Sequence, residues 1–411
     1  LKDWKDSRSK LNAHEYAIEF AHFNQTIKGR STGKVMYVAY LYSAKSDNPI
    51  FIPLFEEAEL KNLIFKQPKN QLYGSRELYD IVWRPLAKEI NENSRVYFAP
   101  SGLLNQISFA AIYNGSSALV RNYDLVQLNS THSLTEDNSA PILEHTMLIG
   151  GIEYDYNQTN DQELQPEIES YAYFNSDAIA NSRGTKTRGE SWTYLKGTLN
   201  EINDIKNKLE QTRASVSILS SYDATEKELK KLSGNSPQLL HIATHGFFYE
   251  NQNMDTSFSI DLSTEDRYRL AEDPLMRSGL IMAGANYAWK NNSNPPNESE
   301  DGILTAMEIS NLDLSNTDLV VLSACETGLG DIEGSEGVYG LQRAFKMAGV
   351  DKLIMSLWQV PDEETADFMQ LFYEKWLNER TVRDAFIDTQ REMYIKYKNE
   401  PLKWAAFVLL E

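Results

Sequence analysis

Two side chains in this sequence are of types that together perform acyl transfer: His245, in the segment HIATHGFF, and Cys325, the only cysteine, in DLVVLSACETGLG. A thiol attacks a carbonyl as its thiolate, and imidazole is the side chain that titrates in the range needed to take the thiol proton. Each residue follows a short apolar run, 238–242 before His245 and 319–322 before Cys325. Runs of this kind are expected of strands buried on both faces of a mostly parallel sheet. If the two strands are neighbours, both side chains emerge at one carboxyl edge, where open α/β sheets bind their ligands. The backbone amides of Gly246 and Cys325 would then be placed to hold the oxyanion of an acyl-transfer intermediate. Taken singly, each residue also has a plain structural account, Cys325 as a small buried hydrophobe and His245 as a satisfied histidine at a strand end.

Other chemistries fit less well. His241 precedes His245 by four residues, but HIATH lacks the glutamate of HExxH and lies in a strand, where positions four apart do not converge on a metal; His241 is read as structural and no metal site is expected. Glycines 328, 330 and 334 do not follow GxGxxG, and neither GxxxxGK[ST] nor GxSxG occurs, so no nucleotide cofactor and no serine nucleophile is expected.

The elements that must carry this pair alternate along the chain. Strands are predicted at 15–23, 34–42 and 49–54, helices at 56–65 and 75–90, and a strand at 96–99 followed by an apolar run through 109–112. The second helix presents Leu78, Val82 and Leu86 on one face, and Pro85 is expected to kink or split it. A second series follows: strand 146–150, helix 199–209, strand 215–219, a helix from about 224 capped by Asp223 or Thr225, strands 238–242 and 319–322, helix 337–347, strand 352–357, and helices 363–377 and 382–396. This reads as an α/β protein with a mostly parallel sheet covered by helices on both faces, divided into a smaller α/β half over 1–140 and the unit bearing the pair over 141–411. Two polar stretches, 153–191 and 249–302, read as long loops, the second broken by an apolar run at 279–284.

Composition narrows the function classes. With 40 basic against 59 acidic side chains and a net charge of −19, the chain as a whole is not a binder of nucleic-acid backbones. No apolar run approaches a membrane span and no signal peptide opens the sequence. A single cysteine precludes an internal disulfide and suits a reducing cytoplasm. The start at Leu1 rather than methionine reads as a fragment or processed product.

Several longer segments carry a resemblance. HIATHGFF, DPLMRSGLIMAGAN, DGILTAMEIS, DLVVLSACETGLGDIEGSEGVYGLQRAFKMAGV and LIMSLWQVPDEETADFMQLFY, preceded by EYAIEF, FIPLFEE, ELYDIVWRPLAKEI and VYFAPSGLLNQISFAAI, resemble in order the CHAT domain family over about residues 10–411. These are caspase/separase-like cysteine peptidases often fused to tetratricopeptide repeats. The resemblance implies a caspase-like catalytic half after a pseudo-protease-like half, with His245 and Cys325 matching the family's dyad and Gly246 its oxyanion position. It further implies that Trp358-Gln359-Val360-Pro361-Asp362 lies beside the first specificity pocket, where Trp358 and Ser323 are placed with Asp362. Asp362 there would select a basic residue before the scissile bond; its plain alternative is an N-cap for the helix beginning near Glu363. Separases carry an additional acidic residue where Gln359 stands. By analogy, the function is cleavage of a dedicated protein substrate under the control of upstream repeats or a regulatory partner, as in bacterial defence or cell death. Arg183 and Arg188 are candidate self-cleavage positions. The alternative is a catalytically silent interaction module with the same fold.

Overall fold

The structure is a computed structural model that describes residues 3–136, 143–156, 191–249, 263–296, 298–323, 331–332, 338–378 and 381–411. Its strands in chain order are β1 (Glu15–Ile27), β2 (Arg30–Ser43), β3 (Ile50–Glu56), β4 (Arg95–Ala99), β5 (Asp124–Gln127), β6 (His145–Ile152), β7 (Ser215–Ser221), β8 (Leu239–Ala243), β9 (Gly246–Phe248), β10 (Ser278–Ile281), β11 (Ile303–Thr305), β12 (Leu319–Ser323), β13 (Asp331–Ile332), β14 (Val338–Tyr339), β15 (Lys352–Ser356) and β16 (Phe407–Leu410). Four helices matter for the site: α1 (Lys196–Leu209), α2 (Ala285–Asn291), α3 (Asp362–Leu377) and α4 (Val382–Lys396).

Eleven strands form one sheet in the order β3-β2-β1-β4-β5-β16-β15-β12-β8-β6-β7. Pairing is antiparallel at β3-β2, β2-β1 and β16-β15 and parallel elsewhere, which gives the mostly parallel sheet expected. Because β16 runs parallel to β5 and antiparallel to β15, the parallel strands before it and those after it point to opposite edges of the sheet. The two strand groups therefore present their carboxyl ends on opposite sides, and the edge reached by β8 and β12 belongs to the second group alone. All five residues of β8 and all five of β12 are buried. Successive side chains point to opposite faces, so both faces are covered.

On one face, α3 and α4 close over β16 through Phe368, Phe386 and Phe407, with ring centroids 4.6 and 5.6 Å from Phe368. The strand β16 lacks the length or flanking turn signals that would identify it in sequence, and neither it nor β5 is among the expected strands. Its place is set by partners: Leu410 pairs with Gln127, the Glu411 amide donates to the Gln127 carbonyl at 3.2 Å, and Gln390 of α4 donates to the Phe407 carbonyl at 3.0 Å.

The helix expected over 75–90 is broken. Its centre, Tyr79–Trp83, is a π turn in which the Arg84 amide reaches the Tyr79 carbonyl at 2.8 Å, five residues back. Pro85 has no N–H to continue an α ladder, which accounts for the break there. Leu78, Val82 and Leu86 are nevertheless fully buried together, so the expected apolar face is real. The helix near 224 is capped by Thr225, whose hydroxyl accepts from the Glu228 amide at 3.2 Å.

The stretch 249–302, expected as a loop, is structured in its described part. It contributes β10 and α2, and with β9 and β11 it makes a three-stranded antiparallel sheet in the order β11-β10-β9. Gly302, just before β11, has φ +79, and a Cβ there would sit 2.8 Å from the Ala285 nitrogen and 2.9 Å from the Ala283 oxygen. Both neighbours are backbone atoms with nowhere to move. Gly302→Ala is expected to cost about 1–3 kcal/mol, read as a lowered urea midpoint at unchanged m-value.

Candidate functional site

Strands β8 and β12 are hydrogen-bonded neighbours running parallel, in a register that pairs Ala243 with Ser323. His245 stands two residues beyond Ala243. Cys325 stands two residues beyond Ser323 in sequence and lies outside the described residues, as do glycines 328, 330 and 334, Arg183 and Arg188. The adjacency that the sequence argument required between the two strands is present; the thiol itself is not described.

The half-buried imidazole of His245 lies between two aromatic rings, Tyr154 at 5.1 Å and Trp192 at 5.2 Å between centroids. Its Nε2 is 2.8 Å from the Thr193 carbonyl oxygen. A carbonyl can only accept, so Nε2 carries a proton and donates it. The residues around the ring are held firmly. The Thr244 hydroxyl donates to the Ile281 carbonyl at 2.5 Å and lies 3.0 Å from the Tyr154 hydroxyl, while the His245 carbonyl accepts from the Ile281 amide at 2.9 Å. Tyr154, Trp192 and Thr193 all come from or beside the stretch read as loop 153–191. Sequence reasoning missed them because a backbone carbonyl has no signature and the aromatic rings sit in a polar context.

Gly246 begins β9, opposite Leu280 of β10. Ladder bonds fall at His245–Ile281 and Tyr249–Arg277. Antiparallel pairs alternate between bonded and non-bonded positions, so Gly246 is a non-bonded position and its N–H points away from β10. Since β9 is the edge of its sheet, that amide faces the side without a strand of the same sheet.

The three residues placed at a specificity pocket sit as follows. Ser323 ends β12 almost fully buried, and its hydroxyl has no partner among the described residues. Trp358 is buried; its Nε1 donates to the Leu402 carbonyl at 3.0 Å, its ring meets Tyr73 at 5.4 Å, and the Lys69 ammonium lies 5.4 Å over it. Its indole is committed to packing. Asp362 is exposed and is the first residue of α3, whose N-cap is Pro361, so it is not the N-cap that the plain reading made it. It lies beside Gly197 of α1, where an added Cβ would be 3.5 Å from the Asp362 Cβ. Although it reaches solvent, desolvation by the protein packed around its carboxyl, and then the nearby Glu201 carboxylate, push that carboxyl above the usual range.

His241 takes the structural role expected of it. Fully buried, it lies 3.0 Å through Nε2 from Glu201 of α1 and 3.1 Å through Nδ1 from the Tyr373 hydroxyl of α3. Elsewhere, Glu226, Glu300 and Glu308 converge, but the cation among them is Lys230, at 2.6, 2.6 and 3.0 Å. Burial pushes the Glu226 carboxyl up to about 8 even with this ammonium beside it. A cavity of about 30 Å³ between Phe98, Gln127, Arg383 and Gln390 lies at the seam of the two strand groups rather than at His245, and suits a water molecule.

Known proteins are similar to this chain in sequence or in fold. Tetratricopeptide repeat protein 28 of Mus musculus is 31% identical over 109 residues, 26% of this chain and 4% of that protein, and the Homo sapiens protein of the same name matches to the same extent. The chain thus spans a small fraction of the length of these relatives. Among solved structures, the separase–securin complex of Saccharomyces cerevisiae aligns with 99% of this chain and 30% of that one, with a TM-score of 0.51 at 10% identity. At that identity the likeness concerns the fold, and the fold is the caspase/separase-like α/β architecture expected from the sequence. The CHAT domain model matches residues 74–411, most of the chain and both strands of the candidate site, and the protein belongs to the CHAT domain family.

Proposed function

We propose that the protein is a cysteine endopeptidase in which Cys325 is the nucleophile and His245 its base. The observation that carries this reading is the His245 imidazole, with Nε2 held on the Thr193 carbonyl, just beyond the strand next to the one that leads to Cys325. In the proposed reaction the Cys325 thiol gives its proton to Nδ1 and the sulfur attacks the peptide carbonyl carbon. The C=O electron pair moves to oxygen, which the amides of Gly246 and Cys325 hold. Collapse of the intermediate breaks the C–N bond, and the imidazolium returns its proton to the leaving amine. Water, deprotonated by the same nitrogen, then releases the acyl group from sulfur. Asp362 is assigned to favouring a basic residue before the scissile bond.

The relatives named for tetratricopeptide repeats, and the solved relative in complex with securin, support a peptidase controlled by repeats or by a partner protein, acting on a dedicated substrate. Among the described residues no helix is long and apolar enough to cross a membrane. We assign the protein to the cytoplasm on its single cysteine, and to a defence or cell-death role by analogy alone.

A peptidyl electrophile tests the chemistry without knowledge of the substrate. The expected result is one adduct, located at Cys325 by mass spectrometry and lost in Cys325→Ala, together with Cys325-dependent cleavage of cellular proteins seen as new amino termini. A folded protein that neither takes the label nor cleaves would sink the assignment and favour the silent interaction module.

A further inference from the structure

We infer that Asn286 is a positioning residue for His245, acting through the two segments that flank the imidazole; this rests on the reading of His245 as the catalytic base. Asn286 lies in the first turn of α2 and is 1% exposed. Its Oδ1 accepts from the Trp192 amide at 2.7 Å, and its Nδ2 donates to the Trp192 carbonyl at 2.9 Å and to Asp155 Oδ1 at 3.0 Å. The backbone N–H donates to the Tyr154 carbonyl at 2.9 Å. The amide orientation is fixed by its partners, because an N–H can only donate to Oδ1 and a carbonyl can only accept from Nδ2.

The side chain therefore pairs with both backbone groups of Trp192 as a strand neighbour would, and the next carbonyl along the chain is that of Thr193, the acceptor for His245 Nε2. Trp289, on the same helix, packs its ring on Trp192 at 5.2 Å. On the other side, Tyr154, whose ring packs against His245, is held by the Asn286 backbone. One buried residue thus holds, through its side chain, the segment that carries Trp192 and Thr193 and, through its backbone N–H, the segment that carries Tyr154. A general base must be held within hydrogen-bond reach of its proton donor, and small misplacements are costly. The residue also ends the AGAN segment of the family resemblance, to which the dyad chemistry alone gives no role.

The experiment observes the imidazole directly. In the Cys325→Ala background, ¹⁵N-resolved NMR of His245 is expected to show a slowly exchanging Nε2–H proton, as the bond to Thr193 requires. Adding Asn286→Ala should remove that signal while the remaining spectrum stays folded. If this variant does not fold, Asn286→Asp, which keeps the volume but replaces the Nδ2 donor with an acceptor, serves in its place. In the protein with Cys325 intact, the same change should lower kcat by about 10²-fold with KM unchanged. An Nε2–H signal that persists in the folded variant overturns the proposal. Loss of the signal upholds the clamp even where no peptide is cleaved, so failure of the clamp and failure of the peptidase assignment are told apart.

Discussion

His245→Gln is expected to lower kcat for peptide cleavage by about 10³-fold while leaving KM and the fold nearly unchanged. Glutamine is close in size to histidine, and its amide can still donate to the Thr193 carbonyl that now holds Nε2 at 2.8 Å. It can still occupy the space between Tyr154 and Trp192, so little packing is lost. What glutamine lacks is a basic nitrogen where Nδ1 stands. The thiol then loses its proton acceptor, and the leaving amine loses its proton donor in the same turnover. Both deficits fall on the chemical step rather than on substrate binding, hence the split between kcat and KM. The measurement is steady-state kinetics on a cleaved protein or peptide, with near-UV circular dichroism to confirm packing. A loss below about tenfold would mean that His245 is not the base, since positioned acid–base groups contribute at least 10²-fold.

The candidate site was legible where side chains would carry the proposed chemistry and opaque where the backbone would. The runs before His245 and Cys325 announce themselves as buried strands because they are apolar without interruption, whereas their adjacency, a condition in the sequence, is supplied by the sheet order. Thr193 contributes only a carbonyl, which any residue would supply, and Asn286 only clamps a backbone, so neither has a pattern that a sequence displays. The stretch 249–302 read as a loop because its elements are short and separated by NNSNPPNESEDG; only the packing of β10 on β9 makes them necessary. The strand β16 was missed for a similar reason. Its four residues acquire a role from β5 and β15, which are remote in sequence. Glu201 shows the limit from the other direction. A glutamate in an amphipathic helix reads as solvated surface, and only the presence of His241 beneath it explains why it is buried.

That buried contact carries the second large effect, on stability. The His241 imidazole bridges the two groups, with Nε2 3.0 Å from the Glu201 carboxylate and Nδ1 3.1 Å from the Tyr373 hydroxyl. Burial, reinforced by the Glu201 carboxylate, holds the Tyr373 hydroxyl well above its ordinary pKa, so it keeps its proton. His241→Leu removes the imidazole and leaves the carboxylate and the phenol stranded in an apolar interior. The expected cost is about 3–5 kcal/mol, measured by chemical denaturation. Replacing the whole chain of polar groups, in Glu201→Leu/His241→Leu/Tyr373→Phe, removes the unpaired groups as well and is expected to restore most of that loss, to within about 1–2 kcal/mol of wild type. If the triple variant is as unstable as the single one, the loss comes from packing and not from unpaired polarity. The network joins α1, which starts three residues after Thr193, and α3, which starts at Asp362, to β8, the strand that leads to His245, so it fixes the frame of the site without touching the reaction. Activity should therefore follow the folded fraction in these variants, with kcat per folded molecule nearly constant, whereas His245→Gln should lose kcat at full stability.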